Sequence, residues 1–235
     1  MKLRVGFAGA RWLGARILEH LDADTSVDLI GYEYEPEGWW GYERNPLPYE
    51  RPFTFADADL VVSVLTPRIW KPAEIEAVPF GIVNLHPAPL PQYRGCNSFS
   101  HAIINGDDYY ATTLHYVDEG IDTGPVIAQE WVHIADDDTA RSLYKRTQAA
   151  SLNLFLREWP NLRTYALLGQ RIDATPQNQQ KARYYTRKCL DTYRVADSRW
   201  DDDKTNRIRR ALEFPPFPPM REYHPWETRR LEWPL

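Results

Sequence analysis

Residues 60–86 read LVVSVLTPRIWKPAEIEAVPFGIVNLH. Two short apolar runs, 60–65 and 81–85, flank a polar segment that opens on Pro72-Ala73-Glu74. Apolar runs without alternation suit strands covered on both faces, as in a parallel sheet. Proline is favoured in the first turn of a helix, so residues 72–78 are expected to form a short one. The unit is therefore strand, helix, strand. Working toward the N-terminus, residues 3–8 form another apolar run, Leu13, Ile17, Leu18 and Leu21 recur at helical spacing, and 27–33 is a further strand. Residues 35–54 are rich in Pro, Gly and aromatics without a period and are expected to be a long loop. Toward the C-terminus a helix is expected over 98–104 and strands over 112–117 and 126–134. A long helix follows, with Asp138 as its N-cap and Ala140, Leu143, Tyr144, Thr147, Leu154 and Phe155 at helical spacing. Pro160 is expected to close it. This alternation predicts an α/β, Rossmann-like fold, a mostly parallel sheet flanked by helices.

The 235 residues allow one sizeable core and a small appended lobe. After residue 165 the chain becomes polar and rich in Tyr and Arg, and residues 214–220 read FPPFPPM. We therefore divide it into residues 1–165, a catalytic domain, and 166–235, a small C-terminal lobe expected to carry a β-hairpin. The net charge is −5 with both signs mixed along the chain, which argues against nucleic acid as a partner. No window reaches the roughly 20 apolar residues of a membrane span, and the first residues do not read as a signal peptide. Cys96 and Cys189 form no CxxC pattern. They suit a reducing cytoplasm and give no metal site. Gly6, Gly9 and Gly14 follow the first strand, but their spacing is not that of a dinucleotide-binding turn. They read better as glycines that let strand and helix pack closely, which leaves a nicotinamide-dependent oxidoreductase as an alternative only.

The chemistry lies between Asn84 and Pro125, in NLHPAPLPQYRG and TTLHYVDEGIDTGP. Asn84 and His86 are two apart on one strand, so their side chains share a face. They fall at the carboxyl end of that strand, where open α/β sheets place ligands. Asp118, Glu119 and Asp122 fill a second polar loop. An amide, an imidazole and a carboxylate on one rim suit acyl transfer. The amide donates to a developing oxyanion, the imidazole carries a proton, and the carboxylate orients the imidazole. No Ser or Cys is placed as a nucleophile, so direct attack by the substrate is the simpler route. Singly, each residue also has a structural reading: His86 as a satisfied histidine, Asn84 and Asp122 as turn formers.

With these motifs in view, the sequence resembles the folate-dependent formyltransferases over about residues 1–160. The resemblance rests on Asn-x-His-Pro at 84–87 and His-x-Val-Asp-x-x-x-Asp-x-Gly-Pro at 115–125. It implies that Asn84, His86 and Asp122 are the catalytic trio and that N10-formyltetrahydrofolate is the formyl donor. It implies further that Arg68, Ile69 and Trp70 wrap the pterin while Asp118 and Gly120 belong to the opposite wall, the loop 118–121. Ala111 and Ser98 depart from the residues many relatives carry there, a glycine and a proline.

The tail is expected to separate the branches. A basic barrel of the methionyl-tRNA enzymes is absent, and the glycinamide ribonucleotide enzymes would end near the long helix. The extra residues resemble the C-terminal lobe of sugar N-formyltransferases, such as those acting on dTDP-4-amino-4,6-dideoxyglucose for a surface polysaccharide (O-antigen or lipopolysaccharide). That resemblance implies a nucleotide-linked amino sugar as acceptor and a cytoplasmic homodimer. Candidate acceptor contacts are Arg94 and Asn97 in the loop after His86, and Tyr184, Tyr185, Lys188, Phe214 and Phe217 in the tail, the aromatics stacking on the base and the cations meeting the diphosphate. The structural alternative makes the tail aromatics a satellite core. A noncatalytic binding protein on the same fold stays a further alternative.

Overall fold

A computed structural model of the chain describes residues 2–35, 50–215 and 219–221. Its main sheet is built from β1 (Leu3–Ala10), β2 (Val27–Glu35), β3 (Glu50–Arg51), β4 (Leu60–Val64) and β5 (Ile82–His86), with two later strands described below. Most of the segment expected as a long loop, residues 36–49, lies outside the described residues. Strands β2, β1, β4 and β5 lie side by side and parallel. Helix α1 (Arg11–Ala23) connects β1 to β2, and α2 (Pro72–Glu76) connects β4 to β5, as the sequence pattern requires. The sheet is mostly parallel, as expected, and turns antiparallel beyond β5. Strand β7 (Tyr109–Tyr116) pairs antiparallel with β5, and β8 (Val126–His133) pairs antiparallel with β7, to which a loop without a crossover helix joins it.

Period-2 alternation sorts the sheet residues between two layers. Leu60, Val62 and Val64 of β4 and Leu85 of β5 join one core with α1 residues Leu13, Ile17, Leu18 and Leu21. The same core takes Leu154, Phe155 and Trp159 of helix α4 (Ala140–Leu167). On the other face Ala8, Val61 and Ile82 pack with Trp70, Ile75 and Val78 around α2. Asn84 and His86 share the alternation of Ile82 and therefore belong to this second face.

Two details of α4 differ from expectation. Its N-cap is Thr139, whose hydroxyl accepts from Ser142 N–H at 3.2 Å. The Asp138 carboxylate instead accepts from the Ala135 amide, the Ser142 hydroxyl and Arg146. Pro160 does not end the helix either. It sits on the exposed side, while Trp159, Leu162 and Ala166 are buried around it. A helical proline costs about 3 kcal/mol. Burying a large apolar side chain returns about 1.5–3 kcal/mol, so two such residues outweigh it. Trp159 Nε1–H also donates to Asp24 at 2.9 Å.

The tail does not stand apart from this body. Strand β9 (Tyr184–Tyr185) pairs parallel with β6 (Arg94–Gly95), the loop that follows β5. Helix α5 (Asp202–Leu212) buries Ile208, Ala211 and Leu212 against Ala102, Ile103 and Ile104 of α3 (Ser98–Asn105). Among the described residues the tail holds no β-hairpin. Its one named strand takes its partner from the loop after β5.

Candidate active site

Strand β5 brings Asn84 and His86 to one face, and β7 supplies the residue opposite, because Asn84 pairs in register with His115. The Asn84 amide is fixed at both ends. Its Oδ1 accepts from the Ser63 hydroxyl at 3.0 Å, and its Nδ2 donates to His115 Nε2 at 3.0 Å. That pairing defines the His115 tautomer: Nδ1–H donates to the Tyr116 carbonyl at 2.7 Å, and Nε2 carries the lone pair. Burial pushes the imidazole down to about 4, so His115 is neutral at neutral pH. Asn84 keeps one N–H beyond this pairing.

His86 is held differently. Its Nε2–H donates to the Tyr93 carbonyl at 2.9 Å, which leaves Nδ1 as the nitrogen able to take up a proton. Asp122 Oδ1 lies 3.6 Å from that Nδ1 and 3.9 Å from His115 Nε2. At 3.6 Å the carboxylate acts as a nearby charge rather than as a hydrogen-bond partner. Its other oxygen accepts from the Gly95 amide at 2.9 Å.

The Asp122 loop reaches the site by doubling back. Because β7 runs antiparallel, the loop leaves near the start of β5, where the Val117 amide donates to the Ile82 carbonyl. It then folds over the sheet face toward His86, so the site covers a face across β5 and β7 and not only the carboxyl rim. The fold-back needs Asp122 at φ 56°, in the left-handed region that Asp tolerates better than most residues. It also needs Gly124, where a Cβ would stand 1.9 Å from the Tyr116 carbonyl oxygen. Asp118 braces the loop by accepting from the Gly120 amide and the Thr123 hydroxyl.

Gln177 ties these pieces to the tail. Its Nε2 donates to the carbonyls of Asp122 (2.9 Å) and Gly124 (2.7 Å), and its Oε1 accepts from both Nε and Nη2 of Arg94. Arg94 also reaches Gln179 and is only 7% exposed. The Arg94 guanidinium, expected as an acceptor contact, is thus buried and engaged by glutamines, and its strand carries the Gly95 amide to Asp122. Asn97 caps α3 at φ 56°, with its amide 3.5 Å from the Arg187 carbonyl. Tyr185 is sandwiched between Tyr93 (5.4 Å) and His101 (4.1 Å), and Phe214 is buried against Phe99 and Tyr144. For these two aromatics the satellite-core alternative describes their placement. Tyr184 and Lys188 are exposed, and Phe217 lies outside the described residues.

At the loop after β4, the Arg68 guanidinium is bound by Glu33 and Glu74 and lies over the rings of Phe55 and Trp70. Trp70 is buried, whereas Ile69 is 72% exposed. Ile69 is thus the exposed side chain of this loop, with the Arg68 and Trp70 side chains engaged or buried beneath it. The sequence reading missed His115, Ser63, Tyr93 and Gln177. Only His115 had a signal, its place in the His-x-Val-Asp stretch. The others enter through register, one carbonyl and the returning tail.

Residues 50–158 match the family model described as formyl transferase. The chain is 34% identical over 165 residues to a GDP-perosamine N-formyltransferase of Brucella melitensis, an alignment covering 69% of this chain and 60% of that protein. It is 36% identical over 124 residues to a methionyl-tRNA formyltransferase of Fusobacterium nucleatum, covering 53% of this chain and 38% of the relative. The matches thus span 60% or less of these relatives' lengths. Among solved structures the fold is shared with an N-formyltransferase from Helicobacter canadensis in complex with folinic acid and dTDP-3-aminofucose. The TM-score is 0.73 at 20% identity, covering 90% of this chain and 81% of that one. A 4-N formyltransferase from Francisella tularensis gives 0.73 at 16% identity, covering 94% and 92%.

Proposed function

We propose that the chain transfers a formyl group from N10-formyltetrahydrofolate to the amine of a nucleotide-linked amino sugar. The observation that carries this reading is the locked Asn84–His115 pair beside a His86 whose one available nitrogen faces Asp122. The bound folate would supply an activated formyl carbon. The loop after β4 suits its flat ring, since no hydrogen bond ties the main-chain amides and carbonyls of Ile69 and Trp70 to other described residues. Arg68 stiffens that loop from below, and Asp118 and Gly120 shape the facing one.

In this mechanism the second N–H of Asn84 stabilises the negative charge that grows on the formyl oxygen as the neutral amine adds. His86 Nδ1 takes the proton that the amine gives up. The Asp122 carboxylate balances the resulting imidazolium, which then returns the proton to the departing nitrogen of the donor. The bond from carbon to the sugar nitrogen forms and the bond to the donor nitrogen breaks, with no net proton change. His115, held neutral by burial, orients Asn84 without competing for the proton.

The finer reading is a dTDP-4-amino-4,6-dideoxyglucose acceptor, a surface-polysaccharide product and a cytoplasmic homodimer. Its nucleotide-sugar part is supported by the similar GDP-perosamine N-formyltransferase and by the fold shared with an N-formyltransferase in complex with dTDP-3-aminofucose, while the particular sugar, the polysaccharide, the compartment and the dimer rest on the resemblance of the tail. No helix among the described residues is long and apolar enough to cross a membrane. Incubating the protein with N10-formyltetrahydrofolate and dTDP-, GDP- and UDP-linked amino sugars, with mass detection of a formyl gain, tests the activity. Formylation of glycinamide ribonucleotide or methionyl-tRNA but of no sugar nucleotide would refute the acceptor class.

A further inference from the structure

A backbone carbonyl only accepts, so the Tyr93 carbonyl, 2.9 Å from His86 Nε2, admits one neutral tautomer of that imidazole. The proton sits on Nε2 and the lone pair on Nδ1, and the choice lasts as long as the carbonyl stays in place. The Ser98 hydroxyl donates to the same oxygen at 3.3 Å, which fills its two lone pairs and leaves no room for a competing water. Any residue type could offer this carbonyl. Where it stands is a matter of the side chain it belongs to. Tyr93 is 4% exposed and is held from three sides. Its phenol donates to the Asp107 carboxylate and accepts from the Asn105 amide at 2.8 Å, just where α3 ends. Burial, and then that carboxylate, push the phenol up, so it remains a donor. Tyr110 meets the ring edge-on at 6.0 Å. The third side is closed by Tyr185 of the tail, whose ring stacks on Tyr93 at 5.4 Å and 12°. Tyr185 is itself backed by His101 at 4.1 Å, an imidazole that burial holds at about 4 and therefore neutral. Its carbonyl accepts from the Cys96 amide at 2.8 Å, which fixes its main chain to the loop after β5.

We propose that Tyr93 is the positioning residue of the base. Its phenol, anchored on Asp107, and its ring, stacked under Tyr185, hold its carbonyl against His86 Nε2 and so keep the proton off Nδ1. The assignment rests on the reading above, in which His86 Nδ1 takes the proton from the amine. It gives the tail a second route to the site besides Gln177. Gln177 acts on the loop that carries the carboxylate, and Tyr185 acts on the residue that selects the tautomer. Aromatic stacking is suited to this task, because it fixes the tilt of a ring and not only its distance. An aliphatic side chain at 185 fills the space and leaves the tilt free.

Long-range proton–nitrogen spectra of the full chain, labelled with ¹⁵N-histidine, test the assignment. They read the tautomer of each imidazole at about pH 8, where free imidazoles are neutral, and the His86 signals are those lost in His86→Ala. The unmodified protein should show His86 as the single Nε2–H form. Tyr93→Phe keeps the stack and removes the anchor, and the half-buried Asp107 carboxylate turns to solvent instead. Tyr185→Leu keeps apolar bulk and removes the stack. In both variants His86 should become a mixture of the two tautomers. Their kcat for formyl transfer should fall about 10- to 100-fold, with folinic acid affinity unchanged. Tyr185→Phe restores the ring and should recover most of the loss seen with Tyr185→Leu. A mixture already present in the unmodified protein, or a pure Nε2–H form retained in both variants, overturns the positioning role. That holds whatever happens to kcat, since lost activity without a change of tautomer marks a structural effect. A mixed tautomer with unchanged kcat overturns the part of Tyr93 in the reaction. The spectra need no substrate. If the protein formylates no sugar nucleotide, the acceptor reading falls and the tautomer still decides the role of Tyr93.

Discussion

Replacing Gln177 tests whether the tail positions the Asp122 carboxylate for the proposed reaction. Gln177→Met removes the two hydrogen bonds to the Asp122 and Gly124 carbonyls and both contacts to the buried Arg94 guanidinium. Each buried polar group left without a partner costs about 1–3 kcal/mol, and a charged one more. Relaxation and the remaining Gln179 contact reduce the sum, giving about 3 kcal/mol overall. For a chain of this size that corresponds to a fall in Tm of about 6–12 °C. The second effect is kinetic. Asp122 owes its place beside His86 to this loop, and a displacement of about 1 Å in a positioned group costs about 10²-fold in rate. Gln177→Glu separates the two effects, since its carboxylate pairs with Arg94 but cannot donate to the two carbonyls. We predict that it recovers part of the Tm loss and still loses about 10- to 100-fold in kcat. Differential scanning calorimetry together with steady-state formyl transfer checks both. A Gln177→Glu enzyme with unchanged kcat, or a Gln177→Met protein with unchanged Tm, would refute the positioning role.

Three further outcomes follow from the same geometry. His86→Ala should lower turnover about 10²–10⁴-fold while leaving folinic acid binding intact, and near-normal turnover in the folded variant would remove His86 from the mechanism. Asp122→Asn keeps an oxygen to accept the Gly95 amide, so its Tm should change little, yet its kcat should fall about 10²-fold or more because an amide cannot balance an imidazolium; equal activity would make Asp122 a turn residue only. His101 is buried, is held at about 4 against 6.5 for the free side chain, and has no partner for Nε2. The unfolded chain therefore binds more protons than the native state between those values, and stability should fall as pH drops from 6.5 toward 4. His115 adds to the same window. His101→Phe should flatten the slope of Tm against pH there, and an unchanged slope would assign the acid sensitivity elsewhere.

The sequence by itself determined the parallel half of the sheet and the common face of Asn84 and His86. Apolar runs at 60–65 and 81–85 are local signals, because burial on both faces leaves no alternation to misread. The two-residue spacing of Asn84 and His86 likewise guarantees a common face once the strand is known. Even within α4, Leu154 and Phe155 marked the buried stripe, while Pro160 misled because its cost is local and the burial of Trp159 and Leu162 that overrides it is tertiary. Only the fold decided the rest. Whether β7 runs parallel or antiparallel depends on the path of the connection, and that path sends the Asp122 loop across the face of β5. His115 becomes part of the site through register with Asn84, and Tyr93 through a backbone carbonyl that any residue type could offer. Arg94 and Gln177 are 83 residues apart, and nothing in either local sequence indicates that they meet. Once they do, a cation that looked suited to a ligand becomes the strut that carries Gly95 to Asp122. The chemistry of side-chain types is written locally. Which atom of each side chain remains available for a substrate is set by long-range packing.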